Sequence, residues 1–303
     1  MPGESSTERQ FSSPKLCTIV YVLGVEGSMH HGVTPVLRSL AKMQLDEYTG
    51  LPYDVKYANR ELRSAIFGFS KNDRTIDNPT MVRHTMRRIC PANGAHHVIV
   101  EDLSFPSGEA DDPRTYRVHR QRWWYQSTME QIAMSETALN HPTNLYAFYE
   151  AYSPYADIRF VVLHRPYIKT VASHMDYDGT VEQHSNVLRG YMLLLRRFLD
   201  SHPRTWTLVC VERMTSSFHG DNVESRDESR RRILSMLAEF LGWDHRTAEG
   251  CHDCYDGWEE SGRDHVGELG EENMLVLLEH MRTLGGIWPP EVEGAILEQK
   301  CGL

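Results

Sequence analysis

The sequence predicts an α/β fold, a parallel sheet covered by helices on both faces, and three apolar runs carry that prediction. Leu16–Val25, Ile158–Leu163 and Trp206–Val211 are near-continuous stretches rich in β-branched residues, the pattern of strands buried on both sides. Each is followed by a turn and a helix-like segment, and strands alternating with helices build a parallel sheet. Right-handed crossovers then bring the loops at the carboxyl ends of the strands to one edge, where ligands bind in such folds.

Taken in order, the first run leads into a helix with Val33, Val36, Leu37, Leu40 and Ala41 on one face, and Pro35 is expected in its first turn. His97–Val100 is a shorter fourth strand. After the strand at 158–163 a helical run extends from about Tyr167 to Met175. The strand at Trp206 leads through a polar loop to a helix expected over Arg230–Leu241, where Ile233, Leu234, Leu237, Phe240 and Leu241 make an apolar stripe and Gly242 is the C-cap. Asn273–Leu284 reads as one more amphipathic helix. The stretches at about 45–94 and 114–140 read as helical and loop insertions in a single domain over 16–303, suited to forming the walls of a pocket. Residues 1–15 are polar and read as a disordered leader.

The chain has 303 residues and a formal net charge of −10. That balance argues against a general nucleic-acid or anionic-membrane binder, though not against a local basic pocket. No apolar stretch is long enough to span a bilayer, and a cytoplasmic protein is expected. The six Cys are scattered rather than patterned as a disulfide framework, and Cys251 and Cys254 form a CxxC without a second ligand pair. No metal site is expected.

Two segments carry chemistry. The first strand ends in Gly24-Val-Glu-Gly-Ser-Met-His-His-Gly32 and enters a helix. Backbone N–H groups at such a turn bind phosphate through their dipoles. No Gly-Lys-Ser/Thr closes the loop, so it is not a Walker A sequence. In the second segment, Arg165 comes directly off a strand and Ser173 lies eight residues on, in the following helix. A guanidinium fork and a hydroxyl so placed can converge on one phosphate.

Together these segments resemble the sulfotransferase family. The strand-loop-helix over Gly24–Leu37 looks like that family's loop for the 5′-phosphosulfate of 3′-phosphoadenosine 5′-phosphosulfate. Arg165-Pro166 with Ser173 matches its Arg-x7-Ser signature for the donor's 3′-phosphate. Val211-Glu212-Arg213-Met214 stands where the family has Tyr-Glu-Asp-Leu, and Leu237-Ala-Glu-Phe-Leu-Gly242 is similar to the Phe-Leu-Gly helix end that follows. The four landmarks occur in the family's order and cover most of Leu16–Trp243. The resemblance implies a P-loop NTPase-like fold and sulfuryl transfer, without a metal, to a hydroxyl or amine of a small-molecule acceptor. It also implies donor contacts from Glu26, Gly27, Ser28, Met29, His30, His31 and Gly32.

The departures are specific. Where the family carries Lys or Arg in the first loop, this chain has Gly27, with His30 and His31 following, so those histidines are candidates to stabilise the leaving oxygen. They can equally cap the helix and pack on the sheet. The family's Gly-rich 3′-phosphate segment has only Ser261-Gly-Arg263 as a counterpart, which makes Arg263 a candidate contact. For the base that takes the acceptor's proton, Glu101, His30, His31 and His174 are candidates; Glu101 can alternatively pair with an Arg. Trp123, Trp124 and Tyr125 suit either an acceptor wall or core. Two rivals remain: a nucleotide kinase-like P-loop enzyme, with Val98-Ile-Val-Glu-Asp102 as its metal-carboxylate strand, and a non-catalytic nucleotide-binding protein.

Overall fold

The computed structural model describes residues 17–24, 30–57, 62, 65–66, 78–101, 145–165, 167–173, 198–214, 222–246, 251, 254 and 270–275. Its centre is a five-stranded sheet of β1 (Cys17–Leu23), β2 (Asp54–Tyr57), β3 (His97–Glu101), β4 (Asp157–His164) and β5 (Trp206–Cys210), in the order β2-β3-β1-β4-β5. Every pairing is parallel. β1 and β3 are buried along their whole length, which explains the apolar runs Ile19–Leu23 and Val98–Val100 within them.

Among the described residues the sheet is flanked by the helices α1 (His30–Lys42), α2 (Pro79–Ile89), α3 (Leu145–Tyr152), α4 (Tyr167–Ala172) and α5 (Val223–Leu241). Successive strand residues point to opposite faces, so the core divides in two. Val20, Val22, Val98, Val100, Val161 and Leu163 pack with Leu37 and Leu40 of α1 and Leu234 and Leu237 of α5. On the other face Ile19, Tyr21, Ile99, Phe160 and Val162 pack with Met86 of α2, Phe148 of α3 and Ala172 of α4. The Tyr21 and Phe148 rings meet edge-on at 5.5 Å, a geometry that adds about 1 kcal/mol to simple burial. This division follows the topology. The crossover through α1 runs outward from β1 to β2, whereas those through α2, α3 and α4 run the other way, and right-handed connections of opposite direction lie on opposite faces.

Local chemistry sets the helix ends. Asn78 accepts hydrogen bonds from the Thr80 and Met81 amides at 3.0 and 3.3 Å, and Pro79 opens α2 where its missing N–H costs nothing. Gly242 closes α5 in the left-handed region, at φ 70°.

Several expectations are corrected. Residues 45–94 are not simply an insertion, because Asp54–Tyr57 forms the edge strand β2, in register with His97–Val100 of β3. α5 begins at Val223, seven residues before the expected Arg230. Pro35 lies inside α1 beyond its first turn, removing the N–H that would bond to the His31 carbonyl, and its exposed ring faces away from the sheet. The described cysteines are not thiols: Cys17 is bonded to Cys90, Cys251 to Cys254, and Cys210 is also disulfide-bonded. Cys17 opens β1 and Cys90 caps α2 at 73 residues' separation, yet the fold brings their Cα atoms to 6.0 Å, within disulfide reach. The expected leader, the insertion at 114–140, Trp123–Tyr125 and most of Asn273–Leu284 lie outside the described residues. Among the described residues no helix is long and apolar enough to cross a membrane.

Candidate functional site

In a sheet of this order the chain leaves β1 toward β2 and β4 toward β5, in opposite directions. The crevice beyond the carboxyl ends of β1, β3 and β4 is therefore the topological switch point. Register brings the candidate residues to that edge. Glu101, the last residue of β3, pairs with Tyr21 of β1; Leu23 pairs with Val162; and His164, just before Arg165, pairs with Cys210 at the end of β5.

The best-defined cluster follows β4 and β5. Arg165 leaves the end of β4 with its side chain 3% exposed, and its Nη1 donates to Ser173 Oγ at 2.6 Å. Ser173 follows directly on α4, so the eight-residue spacing does bring guanidinium and hydroxyl together. Thr170 Oγ1 donates to the Arg165 carbonyl at 3.3 Å and fixes the bend between strand and helix. Two more residues complete the cluster. Lys169 Nζ donates to Glu212 Oε2 at 2.6 Å, and Arg165 Nε lies 3.5 Å from Glu212 Oε1. Glu212 belongs to a 3-10 turn, Val211–Met214, directly after β5. Two cations and one carboxylate leave this cluster a formal charge of +1, suited to an anionic group.

His164 sits beside it, 6% exposed. Burial pushes its imidazole down to about 4, against an upward pull from Glu212. It is therefore neutral at physiological pH and adds no charge to the cluster. Glu101 is fully buried at the end of β3. An ionised carboxylate out of water needs partners, and as the last residue of β3 Glu101 stands at the carboxyl edge of the sheet.

His30 and His31 are the first two residues of α1, and Gly32 is buried behind them. The amino end of a thirteen-residue helix thus faces the edge that β1 leaves, an arrangement favourable to negative charge. Glu26, Gly27, Ser28, Met29, His174 and Arg263 lie outside the described residues. Among the described residues, no group of three or more His, Cys, Asp or Glu is placed to hold a metal.

Sequence reasoning missed Lys169 as a site residue and treated Glu212 only as a landmark. A signal existed for the first, since Lys169 and Ser173 stand four residues apart, the spacing of one helix face. For Glu212 there was none, because 43 residues separate it from Lys169. Compared with models of protein families the chain matches none, and compared with curated proteins it also matches none.

Proposed function

We propose that this chain is a P-loop-like sulfotransferase that moves a sulfuryl group from 3′-phosphoadenosine 5′-phosphosulfate to a hydroxyl or amine of a small-molecule acceptor. The observation that carries this reading is the Arg165–Ser173 hydrogen bond at the carboxyl edge, eight residues apart across a strand end and its helix. The donor set fits the group proposed for it. Arg165 offers a fork of N–H donors, Lys169 a second cation and Ser173 a hydroxyl, and together they suit a 3′-phosphate carrying about −1.5 to −2 at neutral pH.

In this reading the acceptor's oxygen or nitrogen attacks sulfur in line with the bond to the 5′-phosphate. That S–O bond breaks, and adenosine 3′,5′-bisphosphate leaves. The acceptor's proton passes to a base, for which Glu101 and the histidines His30, His31 and His174 are the candidates. Charge developing on the departing oxygen is met by the α1 amino end, with His30 or His31 in the slot that lacks a lysine.

Calorimetry with adenosine 3′,5′-bisphosphate against adenosine 5′-monophosphate tests the binding half of the proposal, and equal affinity for the two refutes it. Mass spectrometry of hydroxyl and amine acceptors incubated with the sulfuryl donor tests the transfer half. Donor binding with no transfer to any acceptor would make the protein a non-catalytic nucleotide binder. Glu101, buried at the end of an apolar strand next to β1, also suits a metal-carboxylate role in a kinase-like enzyme. Turnover abolished by EDTA and restored by Mg²⁺ favours that reading over sulfuryl transfer. The expected cytoplasmic setting is weighed against the disulfides, which favour an oxidising compartment. Alkylation followed by mass measurement of the native protein decides between the two.

A further inference from the structure

The carboxylate of Glu212 lies between two cations that belong to a different element. Its side chain is 7% exposed and Arg165's is 3% exposed. A buried carboxylate is retained only with partners, and here the partners are residues assigned to the ligand. The turn bearing it is firmly held. Val211 and Met214 are fully buried, and Arg230 Nε of α5 donates to the Met214 carbonyl at 3.1 Å. Glu212 thus projects from a fixed backbone.

A guanidinium is planar, and its five N–H groups have fixed relative directions. Arg165 Nε lies 3.5 Å from Glu212 Oε1, an ion pair without a hydrogen bond, while the Nη edge reaches Ser173 at 2.6 Å. The same carboxylate draws Lys169 in at 2.6 Å. We propose that Glu212 is a positioning residue. It orients Arg165 and Lys169 so that the Nη edge, the ammonium and the Ser173 hydroxyl form one binding face, and this orientation creates selectivity for a nucleotide phosphorylated on its 3′ oxygen. The inference rests on reading the cluster as the 3′-phosphate site.

The charge arithmetic makes this testable. Removing Glu212 raises the formal charge of the cluster from +1 to +2, so a purely electrostatic site would bind every nucleotide more tightly. A site whose selectivity comes from orientation would bind without discriminating. The measurement is the ratio of dissociation constants for adenosine 5′-monophosphate and adenosine 3′,5′-bisphosphate, obtained by calorimetry on the full chain. Glu212→Ala is expected to lower that ratio at least about tenfold, as befits loss of one partner in a buried charged cluster. Glu212→Asp keeps the charge but is one methylene shorter, and is expected to lower the ratio as well. Circular dichroism shows whether each variant folds; if the Ala variant does not, the Asp variant decides. A folded variant of either kind that keeps the wild-type ratio overturns the positioning role. A wild-type ratio near one refutes instead the nucleotide reading on which it rests.

Discussion

His164 provides the most quantitative test of how the candidate site is buried. Its imidazole is held down to about 4 by burial, from an ordinary value of 6.5, while an unfolded chain leaves it at the ordinary value. Between those two values the unfolded state binds a proton that the native state does not, so stability must fall as pH falls through that window. At about 1.36 kcal/mol per pH unit, the full cost is about 3 kcal/mol, of which about 2.5 kcal/mol has accrued by pH 4.5 and almost none by pH 7.5. The perturbation is His164→Gln, which keeps a neutral polar side chain but cannot titrate. Urea unfolding of both proteins at the two pH values gives four free energies. Carboxylates that lose their partners in acid do so in both proteins and cancel in the comparison. The wild type is expected to lose about 2.5 kcal/mol more than the variant between pH 7.5 and 4.5. Equal losses in the two proteins would refute the buried, neutral state of His164 and the closed packing beside Arg165.

The remaining expectations concern binding, turnover and the covalent links. Arg165→Ala should weaken binding of adenosine 3′,5′-bisphosphate by about 2 to 5 kcal/mol, read by calorimetry, because it leaves Glu212 and the ligand without their shared cation. If His30 or His31 meets the leaving oxygen as proposed, its replacement with Ala should lower kcat by about 10² to 10³ with little change in nucleotide affinity. Near-full turnover in both variants would move attention to Glu101. Cys17→Ser with Cys90→Ser should reduce unfolding free energy by about 4 kcal/mol, from the 73-residue separation the bond spans, with nucleotide affinity unchanged because the bond lies at the opposite, amino end of β1.

What could be read in the sequence follows how local its causes are. β1, β3 and β4 announce themselves because central strands buried on both faces need long apolar runs, and β5 does so by its Leu208-Val209 pair beside Trp206. β2 does not, because Asp54-Val-Lys-Tyr57 is a four-residue, half-buried edge strand whose polar positions resemble a loop. α2 was not singled out within the stretch at about 45–94, although its Asn78-Pro79 start and buried Val82, Met86 and Ile89 have local causes. The start of α5 is obscured because its residues from Glu224 to Ser229 include none of the apolar stripe. At the site, the Arg165–Ser173 contact was legible because strand end and helix are adjacent in sequence. The Glu212 contact and the Cys17–Cys90 bond were not, since each joins segments that only the completed sheet brings together.

The strand order also has a consequence for how the protein is made. β1 is central and pairs on both sides, but its neighbours are β3 and β4, which are complete only at Glu101 and His164. On a ribosome adding 5 to 20 residues per second, β1 waits roughly 4 to 16 s for its first partner and about 7 to 28 s for its second. Until Glu101 is made, seven consecutive residues destined for full burial have neither neighbour, and until His164 they have only one. A strand left unpaired for so long is the stretch of this chain most exposed to aggregation while it is being made.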